Sequence, residues 1–224
     1  VTNDTKVIQF FHVLFQKALM TKIENRLNFK VHDILASFRR VIIEDSTCFR
    51  LPSALFDFFP GARLPHGRKA SGRVQLRIDL KQHNYEAIAL KSYCQNDLQF
   101  AEDIVHTLQN GDLIIRDLGY FVVPVFSKIM AQGAYFLSRL NLSTHVLSPE
   151  NERIIDLVAF LKKKEQQGIR NVDMPVLLSY KHRIPVRFVA IKLTDQQAKK
   201  RRQMAKTQRH KNSPISQKAS YLMS

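Results

Sequence analysis

Val41-Ile42-Ile43-Glu44-Asp45-Ser46-Thr47 is a short β-branched run that ends in hydroxyls, the pattern of a buried strand leaving its sheet. Downstream, Val74-Gln75-Leu76-Arg77-Ile78-Asp79-Leu80-Lys81 alternates apolar and polar residues without a break, the period of a half-exposed strand. After the turn residues His83 and Asn84, Glu86 to Tyr93 reads as a third strand, hairpin-paired with the second. Leu98, Ala101, Ile104, Val105 and Leu108 fall on one helical face, so the spacing predicts a helix, capped by Asn96 or Asp97 and stopped by Asn110-Gly111. Leu113-Ile114-Ile115-Arg116-Asp117 reads as a fourth strand that breaks at Leu118-Gly119. Pro124 then opens a second helix that Gly133 closes, and Ala134 to Leu140 supplies a fifth strand.

The resulting order is βββαβαβ. Three strands on short links followed by two βα crossovers favour an α/β fold with a ribonuclease-H-like mixed sheet over a doubly wound one. Around this core (41–140), apolar spacings of three and four from Val7 to Arg40 imply an N-terminal helical segment (1–40). Leu51 to Gly72, punctuated by Pro52, Pro60, Pro65, Gly61 and Gly67, reads as a loop with one helical turn around Ser53 to Phe58. A partly β insertion region (141–195) is expected to hold a helix around Glu150 to Gln167 and strands at Val176 to Tyr180 and Val186 to Leu193. A basic tail (196–224) follows, carrying Lys199, Lys200, Arg201, Arg202, Lys206, Arg209, Lys211 and Lys218 and no acid; it reads as a solvated helix or a disordered arm.

Composition narrows the class of protein. The chain has 224 residues, 45% of them hydrophobic, enough for a core and against full-length disorder. No apolar run approaches the roughly 18 residues of a membrane-spanning helix, so the chain reads as soluble and intracellular. Thirty-five Lys and Arg against 19 Asp and Glu give a net charge of +16, which favours polyanions and makes nucleic acid the first partner to consider. Cys48 and Cys94 are too few for a disulfide framework, show no zinc spacing and are expected to be buried thiols. The start at Val1 suggests a processed chain or a fragment.

With the first and fourth strands parallel neighbours about 4.8 Å apart, Asp45 and Asp117, each ending an apolar strand, would converge on one edge of the sheet. Two such carboxylates can hold magnesium or manganese ions roughly 4 Å apart for phosphodiester cleavage. The alternative is that both merely form Asx turns at strand ends. Arg63, His66, Arg68, Lys69 and Arg73 cluster after the first strand, where they either grip phosphates or make the loop soluble. Tyr120, Phe121, Tyr135 and Phe136 either stack on a displaced base or belong to the core.

Ile42-Ile43-Glu44-Asp45-Ser46-Thr47, followed by Arg50-Leu51-Pro52 and Phe59-Pro60-Gly61, resembles the first-aspartate region of insertion-sequence-4-like DDE transposases. Asp117-Leu118-Gly119-Tyr120-Phe121 is similar to the second-aspartate motif of that family, and Gly133-Ala134-Tyr135-Phe136-Leu137-Ser138-Arg139-Leu140 to the strand after it. The ordered matches run across about Val41 to Asn141. The resemblance implies a ribonuclease-H-like catalytic domain that nicks transposon ends and joins the freed 3′ hydroxyl to target DNA. It further implies two Mg2+ or Mn2+ ions held by two aspartates and a glutamate, Asp45 and Asp117 taking the aspartate positions. The expected partners are double-stranded DNA, as transposon ends and target, and a second copy in a synaptic homodimer, in the cytoplasm at the bacterial nucleoid. Arg63, Arg68, Lys69, Arg73, Lys199, Lys200, Arg201 and Arg202 are the candidate DNA contacts.

The family's glutamate lies in a helix reading Tyr-x-x-Arg-x-x-x-Glu-x-x-x-x-x-x-Lys. Tyr180-Lys181-His182-Arg183 starts that spacing, but Arg187 stands where the glutamate should be, inside a strand-like segment. The chain is therefore expected to end before the third catalytic element and to be catalytically poor alone, because losing one carboxylate weakens the second metal site. Glu150, Glu152, Glu165 and Asp195 are possible substitutes or plain surface charges. Two other functions remain: a non-catalytic basic nucleic-acid-binding protein, and another ribonuclease-H-like nuclease that completes its carboxylate set from within the chain.

Overall fold

The computed structural model describes residues 35–61, 69–82, 84–93, 97–141, 143–207 and 221–223, together with 13, 14 and 17. Most of the expected N-terminal helices, the loop residues Arg63, His66 and Arg68, and Cys94 lie outside the described residues. Residue contacts group the chain into two units, Val1–Tyr120 with Lys128–Leu137, and Phe121–Ser127 with Ser138–Ser224.

The first unit is built on five strands: β1 (Val41–Leu51), β2 (Ala70–Asp79), β3 (Asn84–Ser92), β4 (Leu113–Arg116) and β5 (Tyr135–Ser138). Their order in the sheet is β3-β2-β1-β4-β5, with β1 antiparallel to β2 and parallel to β4. This is the ribonuclease-H-like mixed sheet that the element order predicts. The strands sit centrally for a simple reason: Val41, Ile42 and Ile114 are fully buried, and continuous apolar β-branched runs belong where both faces are covered. β1 continues past Thr47 to Leu51 because β2 pairs with it as far as Ala70. Backbone bonding persists there after side-chain burial has stopped, so Cys48 is exposed rather than the buried thiol its residue type suggests.

The helix expected from Leu98 to Leu108 is instead a short helix, α1 (Asp97–Phe100), followed by turns and a 3-10 turn at Val105–Thr107. Ala101, Ile104, Val105 and Leu108 are all buried, as the periodicity requires, and Phe100 is buried beside them. The backbone bonds of this stretch, however, reach back three residues rather than four: Asp103 N to Phe100 O, Val105 N to Glu102 O and Thr107 N to Ile104 O. The Ala101 carbonyl is taken from outside, by Arg116 Nη1 at 2.6 Å. Apolar spacing cannot distinguish such a tightened path from an α-helix. The second helix, α2 (Val123–Ala131), starts beside Pro124 as expected and ends ahead of Gly133, whose φ of +71° is the left-handed conformation of a helix stop.

The second unit carries the sheet β6-β7-β8-β9, from β6 (Val146–Leu147), β7 (Asn171–Leu178), β8 (Ile184–Lys192) and β9 (Tyr221–Met223), all antiparallel. The helix expected from Glu150 is shorter: α3 spans Leu157–Gln166. Its start is set by Asp156, whose carboxylate accepts from Val158 N at 3.0 Å and Ala159 N at 3.1 Å. Upstream, Ile154 bridges to Leu147 and Glu152 takes a φ of +55°, so residues 150–156 are turn and bridge. The start of the basic stretch is helical, α4 (Asp195–Thr207), opened by a reciprocal capping box in which Gln197 Oε1 accepts from Thr194 N and Thr194 Oγ1 accepts from Gln197 N. No helix of the described residues is long and apolar enough to cross a membrane.

Candidate active site

β1 and β4 run in parallel register: Val41 with Leu113, Ile42 with Ile114, Ile43 with Ile115 and Glu44 with Arg116. Asp45 and Asp117 each follow directly on the last of these pairs, and both are exposed. Alternation along a strand puts Asp45 on the face of Ile43, opposite to that of Glu44, which is 1% exposed. A single step along β1 thus separates a core charge from a solvent-facing one.

Both carboxylates are held locally. Asp45 Oδ1 accepts from Ser46 N at 2.8 Å, and Asp117 Oδ1 accepts from Gly119 N at 2.8 Å, an Asx turn. No other hydrogen bond joins either carboxylate to a described residue, so the turn role leaves further oxygen lone pairs for a cation. Gly119 lies beside the second aspartate, where a Cβ would meet Asp97 Oδ2 at 2.9 Å and Asp117 Oδ1 at 3.0 Å. The missing side chain keeps the space between these two acids open.

Asp97, which sequence reading treats only as a helix cap, therefore borders the site. Its Oδ1 accepts from Ser46 Oγ at 2.7 Å and from Arg73 Nη1 at 2.5 Å. Arg73 is on β2 rather than in the preceding loop, and its side chain is 11% exposed. Burial alone would lower the pKa of Arg73, but the bonds to Asp97 outweigh it and raise it. Tyr120, fully buried, lies close by with Gln75 Nε2 3.4 Å from its hydroxyl. Burial, then the charges of Glu44 and Asp97, push that hydroxyl well above the ordinary tyrosine range.

The other named candidates are spread more widely. Lys69 is exposed at the end of the loop, and Lys199 and Lys200 are exposed on α4, which also contains Arg201 and Arg202. Arg63 and Arg68 lie outside the described residues. Of the aromatics, Tyr120 is core, Phe121 packs edge-to-face on Phe126, and Tyr135, 57% exposed, does the same on Phe38. Glu150 and Glu152 are exposed, while Glu165 pairs with Lys192 at 3.1 Å, all in the second unit.

The donor chemistry at Asp45 and Asp117 suits a hard divalent cation: exposed carboxylates on β1 and just past the end of the adjacent parallel β4, with a glycine keeping the space beside one of them clear. Among the described residues, no group of three or more His, Cys, Asp or Glu is placed to hold a metal ion. A metal held by Asp45 and Asp117 would need further ligands.

Comparison with known proteins carries the family beyond short motifs. The model of the transposase DDE domain matches residues 36–220. The chain belongs to the transposase DDE domain family. A transposase for the insertion sequence element IS231F of Bacillus thuringiensis subsp. israelensis is 33% identical over 144 residues, which are 64% of this chain and 30% of that protein. The transposase for IS231B of Bacillus thuringiensis subsp. berliner is 26% identical over 98% of this chain and 48% of its own length. This DDE-family chain thus spans about half the length of that curated relative, or less in the other case. Among solved structures, the endonuclease V of Ciona intestinalis in complex with an inosine-containing 23mer DNA matches 85% of this chain and 78% of its own, with 8% identity and a TM-score of 0.30.

Two features of the candidate site escape sequence reading. Nothing local links Asp97 to Gly119, which lies in the same site only through the fold. Glu44 did leave a signal: it shares the buried face of β1 with Ile42, and a charge at a core-facing position of an apolar run marks a buried partner.

Proposed function

We propose that this chain carries the two-aspartate part of a transposase active site: Asp45 and Asp117 hold Mg2+ or Mn2+ for metal-dependent cleavage and strand transfer at transposon-end DNA. The observation that supports the reading is the β1–β4 register, whose last pair, Glu44 with Arg116, is followed directly in the chain by Asp45 and by Asp117. The relatives' names, transposases of insertion sequence elements, set the reaction class. A divalent ion bound there would polarise the scissile phosphate and activate the attacking oxygen. The protein's own part is positional: β1 and the turn that follows β4 hold the carboxylates, and Gly119 keeps the space between Asp97 and Asp117 clear.

DNA is the substrate, in keeping with the net charge of +16 and the exposed Lys69, Lys199 and Lys200. Lys199, Lys200, Arg201 and Arg202 lie in consecutive positions at the middle of α4, where they add to the charge that draws the duplex. Synapsis of two ends calls for a pair of copies.

Manganese titration of the full chain, followed by electron paramagnetic resonance, tests the reading. Asp45→Ala and Asp117→Ala are each expected to weaken Mn2+ binding at least tenfold while far-UV circular dichroism is unchanged. Wild-type affinity in both variants would sink the metal reading and leave the non-catalytic DNA-binding alternative. Cleavage of transposon-end DNA by the chain alone is expected to be poor, since among the described residues no group of three or more His, Cys, Asp or Glu is placed to hold a metal ion. Robust turnover abolished by Asp45→Ala would show that a further carboxylate completes the site.

A further inference from the structure

Three charged side chains form a transverse row beneath the two aspartates. Glu44 on β1 is registered with Arg77 on β2 and with Arg116 on β4. Arg77 Nε donates to Glu44 Oε1 at 2.6 Å, and Arg116 Nη2 lies 2.5 Å from Glu44 Oε2. Glu44 and Arg116 are almost wholly buried, at 1% and 2% side-chain exposure, and Arg77 is at 13%. Arg116 also donates to the Ala101 carbonyl and faces the Tyr120 ring at 5.1 Å. The β2–β3 pairing shifts register between Arg77 and Ile78, an irregularity of the kind that re-aims a side chain.

Stability is a weak reason for such a row. Removing charges from water costs roughly what their attraction returns, and apolar replacements of buried ion pairs are often as stable or more so. Register is a better reason. Three of the four registered β1–β4 pairs are Val with Leu, Ile with Ile and Ile with Ile, contacts that apolar packing would satisfy almost equally after a slip. Glu44 with Arg116 is the pair that a slip would break, leaving a buried carboxylate and a buried guanidinium apart. A one-residue slip would also move Asp117 about 3.3 Å along the strand and turn it to the opposite face.

We propose that Glu44 and Arg116, with Arg77 as the second cation on Glu44, are positioning residues that lock β1 and β4 in the register bringing Asp45 and Asp117 together. Each acts through the residue that follows it in the chain. This rests on the metal reading above for its consequence, though not for its geometry.

The test uses the full chain and two readouts. Inter-strand nuclear Overhauser contacts between Ile43 and Ile115 report the register directly, and Mn2+ titration reports the consequence. The uncharged double variant Glu44→Leu/Arg116→Leu is expected to keep its circular dichroism spectrum, to show more than one set of inter-strand contacts, and to bind Mn2+ about 10- to 100-fold more weakly, the usual loss on removing groups that orient metal ligands. Arg116→Lys, which keeps the charge, is expected to retain most of the affinity. A folded double variant with one register and wild-type Mn2+ affinity overturns the proposal. If the double variant does not fold, Glu44→Gln decides by the same two readouts. Should Asp45→Ala and Asp117→Ala leave Mn2+ binding intact, the metal reading fails, while the inter-strand contacts still accept or reject the register lock.

Discussion

The two units handle charge in opposite ways. In the first, Glu44, Gln75, Asp79, Asp112 and Arg116 are buried, and Asp112 is closed in by Arg39, Arg40 and the Gln109 amide. In the second, the buried side chains among the described residues are apolar, such as Val172, Val176, Leu178, Ile184 and Phe188. Two of its ion pairs are exposed, Arg187 with Asp173 and Arg183 with Glu152, and a third, Lys192 with Glu165, is partly so. An apolar interior is the simpler way to stabilise a sheet. Of the buried polar groups of the first unit, Glu44, Arg116 and Gln75 lie next to the candidate site, whereas Asp79 and Asp112 lie at the other end of β1 and β4.

The strongest way to break this contrast is Asp112→Ala. Removing the acid leaves Arg40 without the carboxylate on which two of its bonds converge, and a loss of about 3–5 kcal/mol is expected in urea unfolding. The same residue sharpens the contrast through pH. Burial alone would raise the Asp112 pKa, but the hydrogen bonds from Arg40 and Arg39 and from the Gln109 amide hold it below the ordinary range. Its stabilisation is therefore complete above the ordinary carboxylate pKa of about 3.9 and is lost as pH falls through the lowered folded-state value. The melting temperature should drop on acidification below about pH 4, and Asp112→Asn should flatten that drop.

In the second unit, Val176→Ala is expected to cost about 2 kcal/mol, the loss of a fully buried apolar side chain, with no dependence on pH over the same range. Asp156→Ala should cost about 1 kcal/mol, the value of a helix N-cap, read as a shifted urea midpoint. Smallest of all, Asp173→Ala should leave the midpoint unchanged, because the pair it breaks with Arg187 is solvent-exposed and screened. If Asp173→Ala proved as costly as Asp112→Ala, the difference between the two units would be wrong.

Much of the first unit was legible in the chain itself. Strands leave a period of two or a continuous β-branched run, so Val41 to Thr47, Val74 to Lys81 and Leu113 to Asp117 could be read and ordered. That order made β1 and β4 neighbours, and so pointed to Asp45 and Asp117. Boundaries were harder. Burial of Ala101, Ile104 and Leu108 fits a helix and a run of 3-10 turns equally, and only the hydrogen bonding separates them. Likewise, the basic pattern around Arg73 gave no sign that its guanidinium would turn inward to Asp97, 24 positions away.

Local sequence thus determined what depends on near neighbours: strand and helix order, the caps at Asp156 and Thr194, the stop at Gly133, and the acids that follow the apolar runs Val41–Ile43 and Leu113–Ile115. Tertiary structure alone decided what depends on distant segments meeting: the Arg77–Glu44–Arg116 row across three strands, the approach of Asp97 to Gly119, and the enclosure of Asp112 by Arg39 and Arg40. The division has one physical cause. A backbone conformation is selected by residues a few positions apart, whereas a buried charge is tolerated only beside a counter-charge, which the fold delivers from tens of residues away.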